Sequence, residues 1–213
     1  MTTLILVRHG QSEANNMQIF AGNFDADLTE LGEKQAKCSA KYINDNYSVS
    51  KVYASDLKRA YKTGKCIADF MGVEIEPNPG LREISAGEWE GQNFDFLRTA
   101  YKNDYNIWLT DIGNSRCTGG ESARELGKRV LNALEQIAKD NDGKTVVIAT
   151  HATPIRTMQS YVHTGDYDEM KNIPWVSNAS ISVLDYDKGN WSFEAVSVDD
   201  HLAELKSSLP ANV

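Results

Sequence analysis

Cysteine is scarce in this sequence of 213 residues, and no two cysteines form a Cys-x-x-Cys pair. Cys38, Cys66 and Cys117 are far apart and odd in number, which argues against a disulfide framework and favours a reducing compartment. The sequence also lacks a signal peptide and any apolar run near the ~20 residues that a membrane-spanning helix needs. We therefore expect a cytoplasmic protein that has no membrane partner.

Positive charge is also in short supply. The sequence has 22 lysine and arginine residues against 30 aspartate and glutamate residues, so its formal net charge is −8. This balance argues against nucleic acid as a partner, and any anion must bind in a local basic pocket. Hydrophobic residues make up 41% of the chain, enough for an ordinary core. The length predicts one domain over residues 1–213, with an inserted region at about 85–120, and leaves monomer and homodimer equally open.

Short apolar segments alternate with amphipathic ones along the chain. The apolar segments predict strands at residues 4–7, 51–54, 73–75, 145–149, 179–184 and 191–198. The amphipathic segments predict helices at residues 28–47, 59–71 and 94–109, and one that follows a capping box beginning at Ser122. This order predicts an α/β fold, with three α/β/α layers and a mostly parallel central sheet that has an antiparallel edge.

Polar motifs follow three of the predicted strands. Arg8-His9-Gly10 follows the first strand, a segment ending at Arg59 follows the second, and Thr150-His151-Ala152 follows the strand at 145–149. The carboxyl ends of parallel strands meet at one rim of a sheet, where ligands bind in such folds. We therefore expect two arginines and two histidines to converge there.

This set of residue types suits phosphoryl transfer. Arginine offers a planar, charged fork to phosphate oxygens, and a neutral histidine ring can attack phosphorus and hold the phosphoryl group covalently. We assign the attack to His9, because positive charge around it favours the neutral ring and stabilises the transition state. We expect Thr153 to cap a helix that begins at Pro154, so that the N–H of Ala152 faces the anion. These groups replace the Mg²⁺ of kinases, so we expect neither a metal nor a cofactor.

The departing oxygen needs a proton, which a carboxylic acid can supply. Glu83 is our candidate for this acid, because its loop also holds Trp89 and can be partly dry; Glu88 is the second choice. His163 and His201 stand near no comparable motif, and we assign them no role.

Together the motifs resemble those of the histidine phosphatase superfamily, which includes cofactor-dependent phosphoglycerate mutases and related phosphatases. The similar segments are residues 6–15, 20–22, 27–32, 55–60, 81–91, 119–122 and 150–156, so the resemblance spans roughly residues 4–185. It implies a three-layer phosphoglycerate mutase-like fold, a phosphate pocket and an acid. It implies that the phosphate pocket is formed by Arg8, His9, Arg59 and His151, and that the acid is Glu83. It also implies that the substrate side is lined by Ser12, Asn15 and Gly22.

Several positions depart from the mutase pattern. Ala86 stands where mutases have a tyrosine and Asn23 where they have a tryptophan, while Arg98 and Arg116 stand alone where mutases have paired arginines. Residues 20–28 nevertheless resemble the mutase branch. Because of the departures from the mutase pattern, we predict a phosphomonoester hydrolase that acts on a small phosphorylated metabolite through a phosphohistidine intermediate.

Three other interpretations remain. In a mutase, the phosphohistidine would pass its phosphoryl group to a second hydroxyl of the substrate instead of to water. A catalytically inactive phosphate binder is disfavoured, because the histidines, arginines and candidate acid are all present. A metal-dependent hydrolase is also disfavoured, because the histidine spacing matches no His-Glu-x-x-His motif.

Overall fold

A mixed β-sheet organises the chain in the computed structural model, which describes residues 1–207. Within those residues, the strands of the sheet are β1 (Thr2–Arg8), β2 (Val49–Ala54), β3 (Ile75–Pro77), β4 (Thr145–Thr150), β5 (Ile181–Asp187) and β6 (Asn190–Val198). Their spatial order is β3-β2-β4-β1-β5-β6. The pairs from β3 to β1 are parallel, whereas β5 pairs antiparallel with β1 and β6. The predicted mostly parallel sheet with an antiparallel edge is confirmed.

Helices cover both faces of this sheet. They are α1 (Glu13–Asn16), α2 (Glu30–Asn46), α3 (Lys58–Met71), α4 (Phe94–Ala100), α5 (Lys102–Thr110), α6 (Ala123–Asp140) and α7 (Ala152–Thr164). Alternate residues of a strand point to opposite faces. Leu4 and Leu6 of β1 join a buried cluster with α6 and α7, whereas Ile5 and Val7 join one with α2 and α3. The sheet is therefore the middle of three layers.

No helix within residues 1–207 is both long enough and apolar enough to cross a membrane. The helix boundaries follow local signals in the sequence. Thr29 caps α2 by accepting a hydrogen bond from the Gly32 N–H, and α3 ends at Gly72, whose φ of 68° lies in the left-handed region that favours glycine. The capping box predicted at Ser122 is present at the start of α6, where Glu125 completes it.

Three predicted elements are wrong in their extent. The strand expected at residues 179–184 lies at Ile181–Asp187. The strand expected at residues 73–75 lies at Ile75–Pro77. Pro77 is tolerated there because β3 is an edge strand, where a missing N–H breaks no central pairing. The helix expected at 94–109 is interrupted at Tyr101, whose backbone leaves the helical region with φ −120° and ψ 37°. The interruption brings the Tyr101 ring to 6.5 Å from that of Trp89.

The start of α7 also differs from the expectation. His151 is the extended residue that precedes the helix, and Ala152 is the first helical residue, so the prediction that Thr153 caps the helix is wrong. Pro154 fits within the first turn because N–H groups there have no partner inside the helix. The anion-facing N-terminus accordingly begins at Ala152 itself. The single turn of α1, capped by Ser12, was too short for a periodic pattern to reveal.

Candidate active site

The carboxyl ends of β1, β2 and β4 meet beside an open cleft. The predicted site residues that line this cleft are Arg8, His9, Asn15, Gly22, Arg59, Glu83 and Ala152. His151 lies directly behind them, because its ring centroid is 5.1 Å from that of His9 and the rings meet edge to face. The convergence expected from the ends of the strands is therefore present.

The His9 ring is fixed by the backbone at the end of β1. Its side chain is buried, and its Nδ1 lies 2.7 Å from the Gly10 carbonyl oxygen. A neutral ring whose Nδ1–H donates to that carbonyl has an unprotonated Nε2. Burial holds the pKa of His9 well below its ordinary value, and the charges of Arg59 and Arg8 lower it further. Burial and the neighbouring charges favour a neutral ring, and the contact with the Gly10 carbonyl leaves the free lone pair on Nε2.

Gly10 is pressed against the first turn of α2. A Cβ placed on Gly10 would lie 2.3 Å from the Gly32 carbonyl oxygen, so only glycine fits at this position. The Gly10 N–H also donates to Thr63 Oγ1 on α3 at 3.2 Å. The loop that holds His9 is thus fastened to two helices through its backbone.

Two buried guanidinium groups flank His9. Arg59 donates from Nη1 to the Phe24 carbonyl at 2.9 Å and from Nη2 to the Gly22 carbonyl at 2.7 Å. Arg8 donates from Nη1 to the Val176 carbonyl. Burial lowers the pKa of Arg8 to about 10, so the group stays charged at neutral pH. Among residues 1–207, neither Arg8 Nε nor Arg59 Nε has a hydrogen-bond partner.

His151 is held from the neighbouring strand. Its Nε2 is 2.8 Å from the hydroxyl oxygen of Ser55, which follows β2 directly. Its Nδ1 is buried and finds no partner within the described residues. Burial holds the pKa of His151 well below its ordinary value, and the charge of Arg59 adds to this effect. The sequence contains Ser55 in a strand-end motif, but the pattern did not indicate its contact with His151.

The two candidate acids lie in different surroundings. Glu83 lines the cleft, with Oε1 accepting from the Ile84 N–H at 2.8 Å and Oε2 from the Thr153 N–H at 3.3 Å. Glu88 is exposed, and its carboxylate accepts a hydrogen bond from the Tyr101 hydroxyl at 3.1 Å. The structure therefore places Glu83, the first choice, in the same cleft lining as His9, and the second choice at the surface.

Arg129 of α6 holds the Glu83 loop. It donates from Nη1 to the carbonyls of Gly80 and Arg82 and from Nη2 to that of Glu83, each at 3.1 Å. It also forms an ion pair with Glu121 at 2.9 Å, and Glu121 in turn accepts from the Ser85 N–H at 2.8 Å. The sequence gave no signal for this arrangement, because an arginine on an amphipathic helix is ordinarily a solvated residue.

Ser12 supports the wall of the cleft from behind, whereas Asn15 lines the cleft itself. Ser12 is fully buried, and its hydroxyl accepts from the Asn15 N–H at the start of α1. Asn15 lines the cleft, while its Oδ1 accepts from Asn178 Nδ2 at 3.2 Å. Ser12 therefore orients Asn15, which lies in the lining of the cleft.

Comparison with known proteins agrees with these motifs. A model of the histidine phosphatase superfamily (branch 1) matches residues 4–199. Phosphoserine phosphatase 1 of Hydrogenobacter thermophilus is 31% identical over 205 residues, which are 96% of this chain and 96% of that protein. The metal-independent phosphoserine phosphatase of Arabidopsis thaliana is 29% identical over 96% of this chain and 85% of its own length.

Solved structures are similar over nearly the whole fold. YhfR of Bacillus stearothermophilus superposes with a TM-score of 0.90 at 25% identity, over 95% of this chain and 100% of that one. A phosphoserine phosphatase variant from Entamoeba histolytica, solved with phosphoserine, superposes with a TM-score of 0.81 at 28% identity. The match covers 95% of this chain and 100% of that one. The chain belongs to the histidine phosphatase superfamily, as the motifs predicted. Within it, this protein is a phosphatase of the phosphomonoester hydrolase class.

Proposed function

We propose that the protein hydrolyses a small phosphorylated metabolite through a phosphohistidine intermediate on His9. One observation carries the proposal: a neutral histidine ring lines the cleft between two buried guanidinium groups. Those groups retain N–H donors that have no partner within residues 1–207. A phosphoryl group supplies the acceptors that they lack, and places phosphorus beside the ring.

In the first step, His9 Nε2 attacks phosphorus as the ester P–O bond breaks. Arg8, Arg59, the Nδ1–H of His151 and the N-terminus of α7 hold the phosphoryl oxygens, where charge spreads in the transition state. Glu83 gives its proton to the departing alcohol oxygen. In the second step, Glu83 takes a proton from water, whose oxygen bonds to phosphorus as the P–N bond breaks. Phosphate leaves, and His9 and Glu83 return to their starting states.

The charge in the proposed pocket also accounts for metal-independent chemistry. Two guanidinium groups and a helix N-terminus stabilise the transferred group in the way that Mg²⁺ does in kinases. The Arabidopsis relative is named as metal-independent, which supports the same property here. No cofactor is required by this scheme.

Water is favoured over a second substrate hydroxyl as the acceptor. A phosphoglycerate mutase must hold a carboxylate while the phosphoryl group moves. The lone arginines of the inserted region are engaged elsewhere, Arg98 with Asp95 at 3.0 Å and Arg116 with Glu125 at 2.6 Å. Neither of them lines the cleft. These contacts support a phosphatase over a mutase.

Rapid acid-free quenching tests the intermediate directly. Enzyme mixed with ³²P-labelled phosphoserine or ethyl phosphate is expected to carry an alkali-stable, acid-labile label that mass spectrometry locates on His9. The variant His9→Ala is expected to carry no label and to lose several orders of magnitude in turnover. The matched control is His163→Ala, on the exposed end of α7, which is expected to behave like the wild type. A His9→Ala enzyme with a tenth of wild-type activity would contradict the proposal, and faster conversion of 3-phosphoglycerate to its 2-isomer would show a mutase.

A further inference from the structure

Apart from the proposed phosphate-binding residues, much of the cleft lining is aromatic. We call the side chains of Phe20, Phe94, Trp108 and Trp175 the aromatic wall. Phe20 and Trp108 are buried and meet edge to face with ring centroids 5.0 Å apart, and the Trp175 ring lies 6.2 Å from that of Trp108. Phe94 and Trp175 are partly exposed, and covering them with a ring or an alkyl chain is favourable because that contact removes apolar area from water.

Charge in the cleft lining is confined to the groups that the proposed reaction uses. Within residues 1–207, the charged side chains of the lining are Arg8, Arg59 and Glu83. Those three act on the phosphoryl group and the leaving oxygen. A carboxylate on the alcohol would find the amides of Asn15 and Gln18. Amides do not compensate a carboxylate for the water that it loses against an apolar wall.

Arg156 lies next to the aromatic wall but is held outside the cleft. Its guanidinium carbon stacks 4.0 Å from the Trp175 ring centroid. Its Nη2 donates to the carbonyls of Met170 at 2.6 Å and Ile173 at 2.7 Å. It lines a neighbouring cavity, which Trp175 separates from the active-site cleft. Arg156 therefore packs against Trp175 and does not itself line the cleft.

We propose that the alcohol released by this enzyme is uncharged and carries a ring or alkyl chain that packs on the aromatic wall. Phosphoserine and phosphoglycerates are then poor substrates, in contrast to relatives named for phosphoserine. The inference rests on the proposed function, because it concerns the leaving group of the same reaction. A single methylene in an apolar pocket changes kcat/KM by about 10–200-fold, so a phenyl ring is expected to give a preference of at least about tenfold.

The test compares kcat/KM for 2-phenylethyl phosphate with kcat/KM for O-phosphoserine. Both are alkyl esters, so their two leaving oxygens need a proton from the acid to a similar extent. The ratio of the two constants is expected to exceed about ten in the wild type. The substitution Trp175→Ala is expected to lower this ratio several-fold, and Phe94→Ala is a second, independent variant. Both constants come from one sample, so the folded fraction cancels from the ratio.

Trp191→Ala serves as the matched control, because Trp191 lies on β6 and packs against Tyr186 with ring centroids 4.6 Å apart. Its ratio is expected to equal that of the wild type. A wild-type ratio below about ten, or one that neither Trp175→Ala nor Phe94→Ala changes, would overturn this inference while the proposed reaction stands. If neither ester turned over and quenching trapped no phosphohistidine, the proposed function and this inference would both be overturned.

Discussion

Arg129 offers a way to test how the candidate acid is held in place, without touching the cleft. We consider Arg129→Met, which keeps a long side chain and removes the charge. The native guanidinium bonds three carbonyls of the segment from Gly80 to Glu83 and pairs with Glu121. Hydrogen bonds to charged groups contribute about 1.5–3 kcal/mol, but water replaces part of this at a partly exposed site. We expect the free energy of unfolding to fall by about 2–3 kcal/mol.

The catalytic effect is expected to depend on the leaving group. A general acid contributes about 10²–10⁴-fold when the departing oxygen needs a proton, and a displaced Glu83 forfeits part of that factor. We expect the single-turnover rate with ethyl phosphate to fall by about 10–100-fold. p-Nitrophenyl phosphate, whose leaving group departs without a proton, is expected to react within about threefold of the wild-type rate.

The matched control is Arg116→Met, because the pair between Arg116 and Glu125 is more than half exposed on both sides, at 55% and 52%. This variant is expected to keep its melting temperature and both rates. Rapid-quench measurement of the two esters, together with urea unfolding, checks the prediction. Equal loss of rate for both esters in Arg129→Met would refute the argument that Arg129 acts through the acid, and so would a destabilised variant with unchanged rates.

Other predictions concern the charge, the acid, the backbone and pH. Exhaustive treatment with EDTA is expected to leave turnover unchanged, and restoration by added Mg²⁺ or Zn²⁺ would contradict this. Glu83→Gln is expected to slow the burst about 10²–10⁴-fold for ethyl phosphate and much less for p-nitrophenyl phosphate; an equal loss would make Glu88 the next residue to test. Gly22→Ala is expected to lower the free energy of unfolding by about 1–3 kcal/mol, because the new Cβ would lie 2.6 Å from the Ala86 Cβ and the backbone φ is +50°. It is also expected to raise KM, because the Gly22 carbonyl accepts a hydrogen bond from Arg59. Urea unfolding and steady-state kinetics check these two effects. The pKa values of His9 and His151 are lowered in the folded protein, so below about pH 6.5 the unfolded chain binds more protons than the folded one. As the pH falls through this range, the free energy of unfolding is expected to decrease by up to about 1.4 kcal/mol per pH unit for each histidine. His9→Ala is expected to show a shallower slope in urea titrations from pH 7 to 5.

The sheet and its rim were predictable because their signals are local. Buried parallel strands are short apolar runs, and the residue after each run must lie at one edge of the sheet. Arg8, His9 and His151 are therefore located by their positions at strand ends. The capping box at Ser122 was equally visible, because it depends on two residue types at a fixed spacing.

The supports of the site were not predictable for the opposite reason. Arg129 contacts carbonyls that are 46 to 49 residues away, and a lone arginine on a helix carries no mark of such partners. The aromatic wall is assembled from residues of separate segments, of which Phe94 and Trp175 are 81 positions apart in the numbering (175 − 94). The cap expected at Thr153 failed because β4 ends at Thr150 and the extended residue His151 is followed at once by a helix that begins at Ala152.

The contact between Gly10 and Gly32 links the nucleophile to the opening motions of the protein. The loop that holds His9 keeps its shape only while α2 packs on Gly10 and α3 presents Thr63 to the Gly10 N–H. Any fluctuation that detaches those helices also releases the ring, so the site fails as a unit and does not loosen by degrees. In hydrogen exchange, the Gly10 amide is then expected to exchange together with the inner amides of α2 and α3. Substitutions that weaken the packing of those two helices would shorten the time for which the enzyme is competent, although they lie outside the cleft.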